Sequence, residues 1–230
     1  MDPLLSLIFP AACPSCGLPL DRPTRGPLCE ACWTQLPRHR DSACDCGAPL
    51  PSPDIELCGR CRRGLADFDR GASLGPYTGA LRVAIHQLKY SGKRRAATRL
   101  AEQMSRLDSV QRALAGKPLL IPVPLHPSRG TQRGFNQAEL LAAALAHPRG
   151  LQVVEGLIRV RNTPPQTGRS AAARRRNVAG AFQATRPLRN LDVVLVDDVL
   201  TTGATARACA KTLRRAGARS VGLLTVARVI

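Results

Sequence analysis

The stretch VVLVDDVLTTGATA (193–206) runs from an apolar segment through two adjacent acidic residues into a loop of threonine and glycine. Its apolar part indicates a strand over 192–198 that is buried on both faces, as the strands of parallel sheets are. Asp197 and Asp198 then lie at the carboxyl end of this strand, where α/β sheets bind their ligands. Two neighbouring carboxylates need cations or hydroxyl donors around them, so the pair predicts a ligand site.

The loop after the acidic pair combines hydroxyl groups, a glycine and a predicted helix N-terminus. Gly203 permits a positive φ or a close backbone approach, and a helix expected over 205–217 directs its first N–H groups toward the loop. The arrangement suits a ligand with a phosphate at one end and a diol or metal nearby, such as a sugar 5-phosphate. The plainer alternative is that the pair and the threonines only cap the helix. Neither GxxxxGK[ST] nor GxGxxG occurs in the sequence, which disfavours an NTPase or a dinucleotide enzyme.

The rest of the main domain alternates strand and helix patterns, which predicts an α/β fold with a mainly parallel sheet flanked by helices. Asn136 is expected to begin one of the helices. The predicted strands are 72–77, 118–125, 151–160, 192–198 and 220–229, and the predicted helices are 79–90, 95–114, 137–146 and 205–217.

Eight of the nine cysteines fall in four pairs before residue 62: CPSC (13–16), CEAC (29–32), CDC (44–46) and CGRC (58–61). Two such turns complete a tetrahedral zinc site with four thiolates, so the spacing predicts one or two structural zinc ions. In CDC a single intervening residue strains the usual turn, and the second site is expected to bind zinc less tightly or to use a different turn. The predicted domains are a zinc-ribbon module over 1–65 and the main domain over 66–230. The predicted ligands are Cys13, Cys16, Cys29 and Cys32 for the first site, and Cys44, Cys46, Cys58 and Cys61 for the second.

The charge is large and unevenly distributed. Lys and Arg number 34 against 16 Asp and Glu, a net charge of +18, with −2 in residues 1–61 and +20 in residues 62–230. Such a field favours polyanions or phosphorylated ligands, although a solubility surface in an arginine-rich chain is the alternative. The sequence has no basic signal region and no apolar run of about 18–20 residues. We therefore expect a cytoplasmic protein without membrane insertion, in which paired cysteines bind metal.

Two further segments concentrate arginine. In PVPLHPSRGTQRGFNQ (122–137), Arg129 and Arg133 follow a predicted strand, and their planar side chains suit a pyrophosphate group. A solvated surface loop is the alternative, and His126 is either structural or catalytic. Residues 159–176 hold six arginines and no acidic residue. This composition predicts either a flap that closes over a ligand or a segment that binds a nucleic-acid backbone.

The stretch 193–206 resembles the phosphoribosyl pyrophosphate (PRPP) motif of the type I phosphoribosyltransferases. The resemblance implies that Asp197 and Asp198 hold the ribose hydroxyls and are the catalytic pair, that Arg129 and Arg133 bind the pyrophosphate, and that Mg²⁺ accompanies PRPP. It assigns the 5-phosphate to Thr201, Thr202, Gly203, Ala204 and Thr205.

The order of motifs along the chain is similar to that of the ComF family of competence-associated phosphoribosyltransferase-like proteins. It consists of the cysteine pairs, HQLKYSGK (86–93), PVPLHPSRGTQRGFNQAELLA (122–142) and the acidic-pair motif. The resemblance implies a double zinc ribbon joined to a type I phosphoribosyltransferase-like domain. The implied function is PRPP binding with Mg-dependent transfer of the phosphoribosyl (pentosyl) group, which would make the protein a glycosyltransferase. The alternative is a non-catalytic protein that handles single-stranded DNA with the same fold. The implied partners are PRPP or a nucleotide, single-stranded DNA and a DNA-uptake protein.

Overall fold

The computed structural model describes residues 11–20, 26–39, 43–64, 67–90, 94–125, 134–161 and 180–229. Its strands are β1 (Arg70–Pro76), β2 (Leu119–Pro122), β3 (Leu157–Arg159), β4 (Phe182–Ala184), β5 (Asp192–Leu200) and β6 (Ser220–Arg228). Four of them form a parallel sheet in the order β1-β6-β5-β2, and β3 and β4 form a separate antiparallel pair. The predicted parallel α/β fold is therefore confirmed.

Seven α-helices of the described residues surround these strands: α1 (Glu30–Thr34), α2 (Gly59–Arg62), α3 (Gly79–Tyr90), α4 (Arg95–Ser105), α5 (Asp108–Leu114), α6 (Gln137–Ala146) and α7 (Ala204–Arg215). The Asn136 side chain caps α6 as predicted, because its Oδ1 accepts the Ala138 N–H at 3.0 Å. Within the described ranges no helix is long and apolar enough to cross a membrane.

The parallel sheet has a hydrophobic core on each face. Val194 and Val196 of β5 belong to the core that also contains residues of α3, α4, α5 and α6. The alternate residues Val193 and Leu195 belong to the core that contains residues of α7. Because side chains alternate along a strand, successive residues of β5 face different layers of helices.

The stretch predicted as one helix over 95–114 is two helices. Leu107 has an extended backbone (φ −83°, ψ 129°) and separates α4 from α5. The break turns the chain so that α5 packs against β1 and buries Val110 and Leu114. A straight helix of that length would extend for about 30 Å. Val110 and Leu114 would then continue in the direction of α4 instead of packing against β1.

The segment predicted as one strand over 151–160 is divided between two sheets. Val153 forms a single parallel bridge with Leu120 of β2, and only Leu157–Arg159 forms β3. Gly156 lies between the two parts, where a Cβ atom would come within 2.7 Å of the Ile121 side chain. The absence of a side chain at Gly156 therefore lets the chain cross close to β2 before it turns into β3.

The cysteine-rich region packs against β1, an edge strand of the parallel sheet. The Gly71 N–H of β1 donates to the Asp45 carbonyl at 2.6 Å, and Cys46 forms a parallel bridge with Gly71. The His39 N–H donates to the Leu74 carbonyl at 3.3 Å. These contacts pair an edge strand that would otherwise present free backbone groups. The predicted domain boundary after residue 65 lies outside the described residues.

Candidate functional site

The first cysteine cluster has the geometry of a zinc site. The Sγ atoms of its four cysteines all lie within 4.8 Å of one another, and those of Cys16 and Cys29 are 3.6 Å apart. Zinc–sulfur bonds of about 2.3 Å in a tetrahedron place sulfurs about 3.8 Å apart, so the cluster fits a zinc ion. Its members are Cys13, Cys16, Cys29 and Cys32.

The second cluster also brings its four sulfurs within 4.8 Å of one another. The Sγ atoms of Cys44 and Cys61 are 3.3 Å apart, and those of Cys46 and Cys58 are 3.7 Å apart. These distances also fit a tetrahedral zinc ion, and the structure therefore contains two zinc sites of four cysteines each. The members of the second site are Cys44, Cys46, Cys58 and Cys61.

The two sites use related turns of different length. In the first, the Cys13 N–H donates to the Leu18 carbonyl at 2.7 Å, and in the second the Cys44 N–H donates to the Ala48 carbonyl at 2.9 Å. The second turn is thus one residue shorter, as the CDC spacing requires. The expectation of a different turn is confirmed, while the affinity of the second site for zinc stays a prediction.

The acidic pair lies in the second half of β5, beyond the part that pairs with β2. The last β2 partner is Val196, whereas pairing with β6 continues to Leu200. The strand is therefore longer than the predicted 192–198. Asp197 and Asp198 still lie at the carboxyl side of the parallel sheet, where the neighbouring strand has already ended.

Asp198 is buried and forms an ion pair with Lys89. The Lys89 Nζ atom lies 2.8 Å from Asp198 Oδ2, and the two side chains are 18% and 12% exposed. Burial opposes the charge on Lys89, but the Asp198 carboxylate outweighs it, so the pKa of Lys89 is raised. Lys89 lies in the last turn of α3, where the helix dipole also favours a cation.

Asp197 has a different environment because it points toward the opposite layer. Its Oδ1 atom accepts the Asp198 N–H at 2.8 Å. Burial and, next, the charge of Asp198 raise the pKa of Asp197 to about 7, although Lys89 and Arg159 act in the opposite direction. The two neighbouring carboxyl groups thus avoid mutual repulsion in different ways, one through a buried cation and the other by retaining its proton to a higher pH.

The predicted phosphate loop connects β5 to α7. Gly203 is the residue before α7 and has a positive φ of 72°, the conformation for which glycine is suited. The Thr202 hydroxyl accepts the Ala204 N–H at a long 3.4 Å. Arg207, in the first turn of α7, donates from Nη2 to the Thr202 carbonyl at 2.5 Å. The loop therefore presents hydroxyls and a helix N-terminus close to the acidic pair. Its members are Thr201, Thr202, Gly203, Ala204 and Thr205.

Other predicted site residues lie outside the described part of the chain. They are Arg129, Arg133, His126 and the arginines of 162–179. Of the predicted flap (159–176) only residues 159–161 are described; Arg159 is the last residue of β3, which pairs with β4. Arg159 of β3 lies with its guanidinium carbon 5.6 Å from the centre of the Phe182 ring. The antiparallel pair thus contains the first residue of the predicted flap.

Two residues of this region, Lys89 and Arg207, were not among the predicted site residues. Lys89 lies four residues after the buried Ile85, so a lysine on the apolar face of a helix was a usable signal. Arg207 gave no comparable signal, because its contact with the Thr202 carbonyl depends on the path of the loop backbone.

Comparison with known proteins agrees with both parts of this structure. Residues 4–62 match the double zinc ribbon domain, and residues 131–229 match the phosphoribosyl transferase domain. The chain is 36% identical to the DNA utilization protein YhgH of Salmonella typhi, over 97% of this chain and 100% of that protein. It is 31% identical to Competence protein F of Haemophilus influenzae, over 87% of this chain and 90% of that protein.

Competence protein ComFC of Bacillus subtilis is 26% identical, over 87% of this chain and 84% of that protein. The matched regions contain both four-cysteine clusters and the junction of β5 with α7. The two matched domains correspond to the two zinc ribbons and to the parallel α/β domain of this structure. The chain therefore belongs to the ComF family.

Proposed function

We propose that the protein binds PRPP with Mg²⁺ at the carboxyl side of β5 and transfers the phosphoribosyl group to a nitrogen acceptor. The observation that carries this proposal is the junction of β5 and α7. Two carboxylates, a glycine with positive φ and the N-terminus of a 12-residue helix all fall between residues 197 and 204. A phosphate and a diol on one small ligand satisfy both ends of this junction.

The 5-phosphate is assigned to the loop from Thr201 to Thr205. The long bond between the Ala204 N–H and the Thr202 hydroxyl (3.4 Å) leaves this N–H able to form a stronger bond to a charged oxygen. The partial positive charge at the N-terminus of α7 adds to the attraction.

The ribose hydroxyls are assigned to Asp197 and Asp198, which accept hydrogen bonds from them. Lys89 holds the Asp198 carboxyl group in place through the ion pair while no ligand is bound. Carboxylate oxygens are ligands that Mg²⁺ prefers, so the donor set of the pair fits the metal directly or through water. When bound, Mg²⁺ neutralises charge on the pyrophosphate leaving group. A ligand that brings hydroxyls or Mg²⁺ to Asp198 competes with Lys89 for the same carboxylate.

The pyrophosphate is assigned to Arg129 and Arg133, between the end of β2 and the start of α6. Breaking the bond to pyrophosphate leaves positive charge on the ribose, as in glycoside cleavage. Positioning and stabilisation of the leaving group then supply most of the rate. The arginine-rich segment 159–176 is assigned the role of a flap that excludes water.

A cavity of about 360 Å³ beside these elements offers a place for the acceptor. It lies between the end of β2, the start of α6 and β3, and its polar lining includes Glu139, Glu155 and Arg159. Carboxylates accept hydrogen bonds from the N–H groups of a nitrogen base. The cavity therefore supports a nitrogen base as the class of acceptor.

A second candidate function is the handling of single-stranded DNA. Relatives carry the names DNA utilization protein and Competence protein, and residues 62–230 hold a net charge of +20. Aromatic residues are only 3% of the chain, so such binding would be mainly electrostatic rather than based on stacking.

The thiolate ligands of both zinc sites suit a reducing compartment. We therefore place the protein in the cytoplasm, where a DNA-uptake protein is its candidate partner.

Ligand-dependent thermal shifts distinguish the two functions. PRPP with Mg²⁺ should raise the Tm at a salt concentration that abolishes binding of a fluorescent oligonucleotide, because a specific ligand stabilises the folded state by mass action. An oligonucleotide that binds with a steep salt dependence, together with no shift from PRPP, would favour the second function.

A further inference from the structure

Arg207 controls the direction in which one peptide of the predicted phosphate loop faces. Its Nη2 atom donates to the Thr202 carbonyl at 2.5 Å, and a Cβ atom on Gly203 would lie 2.9 Å from its Nη1 atom. In a planar trans peptide the C=O and N–H groups point in opposite directions. With the Thr202 carbonyl held by Arg207, the Gly203 N–H faces away from the guanidinium.

This orientation matters because backbone N–H groups are what such a loop offers a phosphate. If the same peptide rotated, the Thr202 carbonyl would point where the N–H had pointed and would repel an anion. Gly203 has no side chain to hinder that rotation and tolerates both signs of φ. The loop therefore needs a contact from outside to keep the peptide in one orientation, and Arg207 supplies it.

Arg207 is in turn connected to the second zinc ribbon. Its Nη1 atom lies 3.6 Å from Asp67 Oδ2, and Arg60 Nη2 lies 3.0 Å from the same oxygen. Arg60 belongs to α2, between the zinc ligands Cys58 and Cys61. A continuous row of polar contacts thus runs from the ribbon to the Thr202 carbonyl.

A second connection reaches the other end of the loop. Leu200, the residue before the loop, pairs with Arg228 of β6, and its carbonyl accepts the Val229 N–H at 2.9 Å. Arg228 Nη1 donates to the Gly47 carbonyl at 2.6 Å. Gly47 directly follows the zinc ligand Cys46. Both ends of the loop are therefore connected to residues adjacent to the ligands of one metal site, one end through Arg207 and Asp67 and the other through Arg228.

We infer that the second zinc ribbon is a structural part of the sugar-phosphate site, and that Arg207 is its positioning residue. The ribbon holds Arg207 through Asp67, and Arg207 keeps the Thr202–Gly203 peptide oriented to bind a phosphate. The identity of the ligand rests on the proposed function, whereas the orientation of the peptide does not.

The test compares Arg207→Met, Asp67→Asn and Arg207→Lys with the matched control Arg214→Met. Arg214 lies on the same helix and pairs with Asp69 at 2.9 Å, away from the loop. We expect Arg207→Met to weaken ribose 5-phosphate binding about tenfold, with a smaller loss for Asp67→Asn. Arg207→Lys should recover part of the loss because lysine can donate to the same carbonyl. Arg214→Met should match wild type.

Calorimetric titration with pyrophosphate supplies the contrast. The Arg207 and Asp67 variants should bind pyrophosphate as wild type does, because that group is assigned to a different loop. Equal affinity of wild type and Arg207→Met for ribose 5-phosphate would overturn the inference. An equal loss for both ligands would also overturn it, since it would indicate a general defect.

Hydrogen exchange of the unliganded, zinc-loaded protein gives a readout that does not depend on the ligand. Amides of 199–206 should exchange faster in Arg207→Met and Asp67→Asn, while those of β2 should not change. If wild type binds no sugar phosphate but this pattern is found, the proposed function fails and the positioning role stands. Unchanged exchange at 199–206 would show that the positioning role is wrong.

Discussion

Asp197 and Asp198 are neighbours in sequence but face different layers of the protein. Asp198 is directed toward α3 and is neutralised by Lys89 at 2.8 Å. Asp197 is directed toward α7, where its charge adds to burial in raising the pKa of the Cys209 thiol. The alternation of side chains along β5 therefore gives the two adjacent carboxyl groups different surroundings, and an incoming ligand meets one group paired with a lysine and one whose pKa is raised to about 7.

The raised pKa of Asp197 predicts a pH-dependent stability. A carboxyl group with a folded-state pKa of about 7 contributes stability that is complete below its unfolded value of about 3.9 and is lost as the pH rises through 7. Asp197→Asn does not ionise and avoids this loss. The Tm of the variant minus the Tm of wild type should therefore increase as the pH is raised from about 6 to 8. A Tm difference that does not change with pH would show that Asp197 is ionised throughout.

Removal of Lys89 should leave Asp198 buried without its cation. We expect Lys89→Met to lower the free energy of unfolding by about 3 kcal/mol near pH 8, measured by urea denaturation of the zinc-loaded protein. The exposed Lys211 on α7 provides the control variant Lys211→Met, which should have little effect. The double variant Lys89→Met/Asp198→Asn should recover most of the loss. A loss as large in Lys211→Met, or no recovery in the double variant, would contradict the ion pair.

At the level of elements, the CDC turn shows how a zinc ribbon and a sheet share backbone groups. The carbonyl of Asp45, inside the shortened turn, accepts the Gly71 N–H of β1 at 2.6 Å. The close approach requires glycine on both sides, because a Cβ on Gly47 would lie 2.7 Å from the Gly71 carbonyl carbon. The short spacing that looks unfavourable in the sequence thus places the second ribbon directly on the edge strand.

The same edge supplies a steric prediction at Gly75. A Cβ atom there would lie 1.9 Å from the Pro37 carbonyl oxygen, so Gly75→Ala must push the ribbon region away from β1. We expect a loss of about 3 kcal/mol in the free energy of unfolding. Gly59→Ala is the control, since its Cβ would meet nothing closer than 3.8 Å. Equal urea midpoints for the two variants would contradict this packing.

Local patterns predicted those elements whose limits are decided locally. The helix over 79–90 and the Asn136 cap follow from spacing and residue type, and both are found. The break at Leu107 and the division of 151–160 do not follow, because they depend on packing against β1 and β2. The short strand β4 was also missed, since it has three residues and, among the described residues, pairs with β3 alone.

At the level of the whole molecule, the ribbons and the main domain form one structure. Trp33 and Leu36 of the ribbon region are buried in the same core as Leu81 and Leu100 of the main domain. Arg99 donates to both Glu30 carboxylate oxygens at 2.8 Å. The sequence predicted the two zinc sites from cysteine spacing alone, but this shared core depends on tertiary contacts that spacing does not encode.

Zinc removal should therefore destabilise the whole chain. Metal analysis is expected to find two zinc ions per chain. Because structural zinc supplies folding energy, a strong chelator should lower the temperature at which the helices of the main domain unfold. The ribbons and the main domain should unfold together in one transition. Circular dichroism during heating measures this. A main domain that melts at the same temperature with and without chelator would show that the shared core contributes little.

The most direct test of PRPP binding is calorimetric titration of PRPP with Mg²⁺ into the zinc-loaded wild type and into Asp197→Asn/Asp198→Asn. The control is Arg219→Gln, because Arg219 pairs with Asp192 at the other end of β5. We predict saturable binding to wild type and control, and none to the double variant. No binding to a folded, zinc-loaded wild type, or equal binding to the double variant, would contradict the assignment of a sugar-phosphate site to the end of β5.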